Sequence, residues 1–304
     1  MDVLVFEPLT RARNTMKLTE LFEIYAAKRL RGCSHNTIRL YKHSIAAYSK
    51  TLGRDATLDD LTDDNLQRHM WRLVDDGRSK ATANKDCAQI GAMWRFANRN
   101  NLVTNWPNVK LLNEPERVPM AWLPHEMDGI FASIEKEPGY VFEVPARLWW
   151  KCLLSVLLET GERIGPMKQL ERTALAGEFL MIPAEYRKRG TRDKLYKLTS
   201  ETAGDLQRMI AMHTKEKMFP WDRSETYIYK RYTDILKRAR LSHDAKSKFH
   251  RIRKLSCSIV KLMGGDATAA MDHASTRTTK RYLDPRIVGE TPTSDYIKRY
   301  RKGG

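Results

Sequence analysis

The segment PARLWWKCLLSVLLETG, residues 145–161, is apolar on nearly every side of a helix and carries only three charged residues. A helix of that kind is stable only when other elements cover it all round. It is also shorter than the roughly 20 apolar residues that a membrane span needs. It therefore predicts a buried central helix, with the flanking sequence folded around it. The flanks suit that task. AWLPHEMDGIFASI (121–134) carries Pro124 where the first turn of a helix accepts it. GEFLMIPAEYRKRGTRDKLYKLT (177–199) breaks the helical period, and its β-rich ends around a basic, Gly-containing turn predict a small sheet with a hairpin. Helical spacing returns at about 200–213, 224–240, 249–263 and 275–283.

The first hundred residues read differently. After an irregular segment, 1–16, four helical stretches are joined by short polar turns: 18–30 with Thr19 as its expected cap, 34–53 between Ser34 and Gly53, 62–77, and 79–101. They predict a compact helical domain over 17–110. A Pro- and Glu-rich stretch, 111–120, reads as a linker. A second domain then runs over 121–290, followed by a basic tail, 291–304. The expected fold class is mainly α with a small antiparallel β-sheet, in two domains.

Charge narrows the partners. There are 54 Lys and Arg against 37 Asp and Glu, a net charge of +17, which favours a polyanion. Both parts are basic: residues 1–115 hold 18 cationic and 13 anionic side chains, and residues 116–304 hold 36 and 24. The opening MDVLVFEPLT has no cleavage pattern of a signal peptide. Cys33, Cys87, Cys152 and Cys257 are widely spaced and form no metal-ligand pattern. Reduced thiols, a cytoplasmic location, no membrane partner and no metal or other cofactor are the expectations.

The side chains that bear chemistry lie in the second half. Breaking a phosphodiester without a metal requires a nucleophile, fixed donors around the non-bridging oxygens, and an acid for the departing oxygen. TGERIG puts Arg163 just past the apolar helix, where a planar guanidinium can address two phosphate oxygens. RKRGTRDK offers Lys188, with Arg189 and Lys194 nearby, on the presumed hairpin. FHRIRK sets His250 and Arg253 three apart on one helix face. MDHASTRTTKRYLDP surrounds Tyr282 with His273 and a run of cations. A phenol, with an ordinary pKa near about 10, needs such surroundings to become a nucleophile. Singly, each has a plainer reading: a surface arginine, a solvated turn, a chance H-x-x-R, a packed tyrosine.

In order, Arg163, Lys188, His250-x-x-Arg253, His273 and Tyr282 resemble the tyrosine recombinase, or phage integrase, family. SHNTIRLYKHSIAAY is similar to that family's helical core-binding (SAM-like) domain, and TGERIG and DHASTRTTKRYLDP to two of its boxes. The resemblance implies a C-shaped clamp on double-stranded DNA, homotetrameric on recombining sites and monomeric or dimeric before synapsis. It implies that Arg163 and Arg253 hold the phosphate, Lys188 is the general acid, His250 assists as acid or base, His273 stabilises the transition state and Tyr282 attacks. The tail would dock on a neighbouring subunit, and the protein would sit on the DNA of the nucleoid. Pro166 stands where the family usually has an acidic residue, and the interval from Arg253 to His273 is about three residues short. Rival expectations are a type IB topoisomerase and a non-catalytic DNA-binding relative. Tyr296 and Tyr300 are alternative phenols with no His-containing box before them.

Overall fold

The computed structural model describes residues 15–187, 192–244, 248–289 and 297. The chain divides into two compact units, Met1–Glu116 and Arg117–Gly304. Lys188, Arg189 and nearly all of the basic tail, with Tyr296 and Tyr300, lie outside the described residues.

In the first unit, helices α1 (Leu18–Arg29), α2 (His35–Leu52), α3 (Asp63–Asp75) and α4 (Lys80–Arg99) enclose Leu21, Phe22, Tyr48, Met70 and Trp94. Three of the four begin at a hydroxyl. Ser34, Thr62 and Ser79 accept the N–H of Thr37, Asn65 and Thr82 at 3.2–3.3 Å, each cap worth about 1 kcal/mol. α1 departs from the expectation: Lys17, not Thr19, is its N-cap residue. The reason is tertiary. Lys17 pairs with Thr57 in an isolated bridge, and Leu18 donates to the Ala56 carbonyl at 2.8 Å, so the helix starts where the chain leaves that pairing. Beyond α4, the Asn84 side chain accepts the Leu112 N–H at 2.8 Å and donates to its carbonyl at 2.9 Å. The beginning of the expected linker is thereby packed on the first unit.

In the second unit, α5 (Pro124–Ile134) precedes a two-stranded hairpin, β1 (Tyr140–Val141) with β2 (Val144–Pro145), which leads into α6 (Ala146–Thr160). α6 is the expected buried helix, with Trp149, Trp150, Cys152, Leu153, Leu154, Val156 and Leu157 all at 1% exposure or less. After it come α7 (Ile164–Gln169) and an antiparallel sheet in the order β3 (Leu175–Ala176), β4 (Phe179–Ile182), β5 (Lys194–Lys197). Then follow α8 (Ser200–Ala211), α9 (Glu225–Arg238), α10 (His250–Leu262), α11 (Ala267–Ala270), α12 (Thr276–Lys280) and α13 (Pro285–Val288).

Aromatic stacking fixes where α10 starts. The ring of Phe249 lies 4.4 Å from that of Tyr232 on α9 and is nearly parallel to it, and both stack on Trp150 of α6. Ser256 of α10 donates to the Leu158 carbonyl at 2.7 Å. The two helices that carry the polar boxes are thus locked together by their inner faces.

Candidate active site

α6 ends at Gly161, a left-handed residue with φ of 63°. A Cβ there would lie 2.6 Å from the Cε of Met271 and 2.7 Å from its Sδ. Glycine therefore serves twice, turning the chain at low conformational cost and letting the 271–273 turn approach the end of α6. The next two residues are Glu162, which is buried, and Arg163, which is half-buried.

Arg253 joins the two turns. It is 2% exposed, yet its Nη1 donates to the Gly161 carbonyl and its Nη2 to the Met271 carbonyl at 2.7 Å. Nη2 also lies 3.2 Å from Nε2 of His273. A guanidinium has five N–H groups and no acceptor. Three are used in this way, leaving Nε–H and one Nη1–H without an acceptor among the described residues. Because arginine can only donate, His273 Nε2 accepts. The imidazole is then neutral, with its proton on Nδ1, directed at the Thr279 hydroxyl 3.1 Å away.

Tyr282 lies two residues beyond the end of α12, in a turn, not within a helix running to 283 as its spacing predicts. Its ring is 4.4 Å from that of His273 and 5.0 Å from that of His250, and the Arg253 guanidinium sits 5.5 Å from its centre. The segment behind it is anchored: Ser258 donates to the Tyr282 carbonyl at 3.4 Å and accepts the Asp284 N–H at 2.9 Å. The fully buried Asp284 carboxylate accepts the Ala121 N–H at 2.7 Å and Arg286 Nη2 at 2.7 Å.

A cavity of about 230 Å³ is lined by Glu162, Arg163, His250 and Arg253 together with Ile164, Tyr229, Lys248 and Phe249. Arg163 makes no hydrogen bond or ion pair among the described residues. Its electrostatic influence is plain nonetheless. His273 is held down to about 4, first by burial and then by Arg253 and Arg163, against the pull of Asp272. His250 is likewise at about 4, through loss of hydration and the cations Lys254, Arg253 and Arg163. Loss of hydration is the larger cause for His250 and the flanking cations the lesser, although the residue as a whole keeps contact with solvent. Two guanidiniums and one neutral imidazole line the cavity, and a second neutral imidazole, His273, backs Arg253; such a set suits an anion.

The site residues expected from sequence divide as follows. Arg163, His250 and Arg253 share the cavity wall, and His273 and Tyr282 stand against His250 and Arg253. Lys188 lies outside the described residues. Lys194 is on β5, its ammonium donating to the carbonyls of Ala269 and Ala270, just ahead of the His273 turn.

Residues 22–101 match the family profile described as phage integrase, N-terminal SAM-like domain. Among curated protein sequences nothing matches significantly. Solved structures do. A lambda integrase dimer bound to a COC′ core site superposes with a TM-score of 0.69 at 19% identity, covering 93% of this chain and 82% of that one. A lambda integrase tetramer bound to a Holliday junction gives 0.69 at 18%, with 90% and 83% covered. The Tn1549 transposon integrase, residues 82–397, in complex with circular intermediate DNA gives 0.70 at 14%, with 94% and 99% covered. The chain has the tyrosine recombinase fold.

Within that fold, two cavity-lining groups, Glu162 and Lys248, escaped the sequence reading, as did the ion pairs that hold Glu162. Glu162, next to Arg163, is 1% exposed at its side chain and accepts Arg187 Nε at 2.7 Å and the Tyr196 hydroxyl at 2.8 Å. Arg187 in turn lies 3.0 Å from Asp272. Lys248, two residues before His250, lines the cavity while donating to Thr233. The only signal for Glu162 is its place inside TGERIG. An acidic residue one position before the arginine, with proline three positions after it, departs from the pattern that the box otherwise follows.

Proposed function

We propose that this chain is a site-specific DNA strand transferase, an integrase or recombinase that works through a 3′-phosphotyrosine. The observation that carries the reading is the meeting of Arg163, His250 and Arg253 around one cavity, with His273 and Tyr282 packed against His250 and Arg253. Arg163 and the two spare N–H groups of Arg253 bind the non-bridging oxygens of a scissile phosphate. The Tyr282 oxygen forms a bond to phosphorus and the bond to O5′ breaks. The phenolic proton passes to His250 or to water, and Lys188 supplies a proton to O5′, which departs as a hydroxyl. His273, neutral while it faces only Arg253, gains a proton more readily once the phosphate brings negative charge, and Nε2–H then donates to the pentavalent centre. A 5′-hydroxyl of a partner strand attacks the phosphotyrosine and reverses these steps. Since the covalent link conserves the energy of the phosphodiester, the reaction calls for neither ATP nor a metal.

The basic charge of both parts supports a clamp that grips double-stranded DNA from two sides. The lambda integrase structures, one a dimer on a core site and one a tetramer on a Holliday junction, support assembly of this chain on DNA, as a monomer or dimer before synapsis and a homotetramer on the recombining sites. The test is to recover DNA covalently joined to the protein from cells and to sequence it. We expect a discrete adduct that ends at one position and disappears in Tyr282→Phe, while that variant binds the same DNA within about twofold, since it loses one hydroxyl and no charge. An adduct that persists in Tyr282→Phe, or none from the unaltered chain on its recovered site, overturns the reading.

A further inference from the structure

We propose that Arg187 is a positioning residue for Lys188, its neighbour in sequence, held by the carboxylates of Glu162, beside Arg163, and Asp272, beside His273. This rests on the strand-transfer reading above and adds a residue to it.

Three observations carry it. Arg187 is 8% exposed, an unusual place for an arginine at the root of a basic turn. Its guanidinium is divided between two carboxylates from different segments: Nε to Glu162 at 2.7 Å and Nη2 to Asp272 at 3.0 Å. Asp272 meets it from a left-handed backbone, φ 54°, which aspartate tolerates better than most side chains. Glu162 is held a second time, by the Tyr196 hydroxyl of β5. The bridge therefore spans the residue before Arg163, the residue before His273 and the residue before Lys188. Each neighbour of the three ion-paired groups is a residue to which the reading assigns a reacting role.

Lys188 acts by protonating O5′ as it leaves. A leaving sulfur departs as a thiolate and needs no proton. A residue that matters by aiming Lys188 is therefore dispensable when sulfur replaces the bridging 5′ oxygen, whereas one that merely supports the fold is not. The experiment compares nicked duplexes of the recovered site carrying either atom, measuring the rate of covalent adduct formation at saturating protein. Arg187→Gln is expected to slow the oxygen substrate about 100-fold and the sulfur substrate less than about fivefold. Asp272→Asn alters a partly exposed arm and leaves Arg187 paired with Glu162, so it folds even if Arg187→Gln does not. It is expected to show the same selectivity at about tenfold. Equal slowing of both substrates, or rates within about threefold of the unaltered chain for both variants on oxygen, overturns the inference. If the unaltered chain forms no adduct on the oxygen duplex, the strand-transfer reading fails and takes this inference with it.

Discussion

Arg253 Nη2 stands 3.2 Å from Nε2 of His273, and an arginine nitrogen can give that imidazole a hydrogen but take none from it. The contact requires a neutral ring, in keeping with the depressed pKa of about 4 for His273 and for its neighbour His250. Both values lie below the ordinary histidine value of about 6.5. Between the two, the unfolded chain binds more protons than the folded one. The stability contributed by these rings is complete above about 6.5 and is lost as pH falls toward about 4. Two-dimensional NMR of the free protein should show both imidazoles titrating near 4, with the midpoints rising on addition of vanadate or of the recovered DNA. Titration of either ring near 6.5 in the free protein contradicts the contact geometry.

Arg163 and Arg253 should separate function from stability. Arg163 has no protein partner among the described residues, so Arg163→Ala is expected to change stability by less than about 0.5 kcal/mol while adduct formation falls at least about 1,000-fold. Arg253→Ala abandons the buried carbonyls of Gly161 and Met271 and should destabilise the fold by at least about 2 kcal/mol as well. Urea unfolding and a nicked-duplex cleavage assay measure the two effects.

Gly161→Ala combines a left-handed backbone with a close approach to Met271. The backbone alone should cost about 1–2 kcal/mol. The Met271 contact is with the end of a flexible chain, so Gly161→Ala/Met271→Ala should recover the steric part and not the backbone part. Equilibrium unfolding of the three variants separates them.

Asp284 lies across 163 residues of sequence from the Ala121 N–H that it accepts. Burial opposes its charge, but Arg286 and the backbone N–H groups outweigh that and lower its pKa. The contribution is present above the ordinary carboxylate range and is lost as pH falls through the folded value. Asp284→Asn should destabilise by about 2–3 kcal/mol, at or just below the usual range for a broken buried pair because Arg286 reaches solvent. It should also speed hydrogen exchange in the Tyr282 turn, which the clamp holds.

The helices were legible because their signals are local. Ser34 announced one N-terminus, and the apolar run at 145–161 announced the central helix. Where a distant partner decided the outcome, local reading failed: Thr19 looked like a cap until Thr57 drew Lys17 into a bridge. Strands of two residues, β1 and β2, are too short to show alternation. The five clustered site residues were legible as an ordered set of boxes, none informative alone. Glu162, Arg187 and Asp272 were not, because an ion-paired bridge between segments 25 and 85 positions apart leaves no periodicity to detect.

His250 follows directly on Phe249, whose ring is stacked against Tyr232 and Trp150. That imidazole, 5.0 Å from the Tyr282 ring, is therefore aimed by a piece of hydrocarbon masonry laid down when the chain folds. Little rotational freedom is left to surrender when a ligand arrives. Loosening that stonework at Tyr232, far from any reacting atom, would blunt the chemistry while leaving every charged group in the cavity untouched.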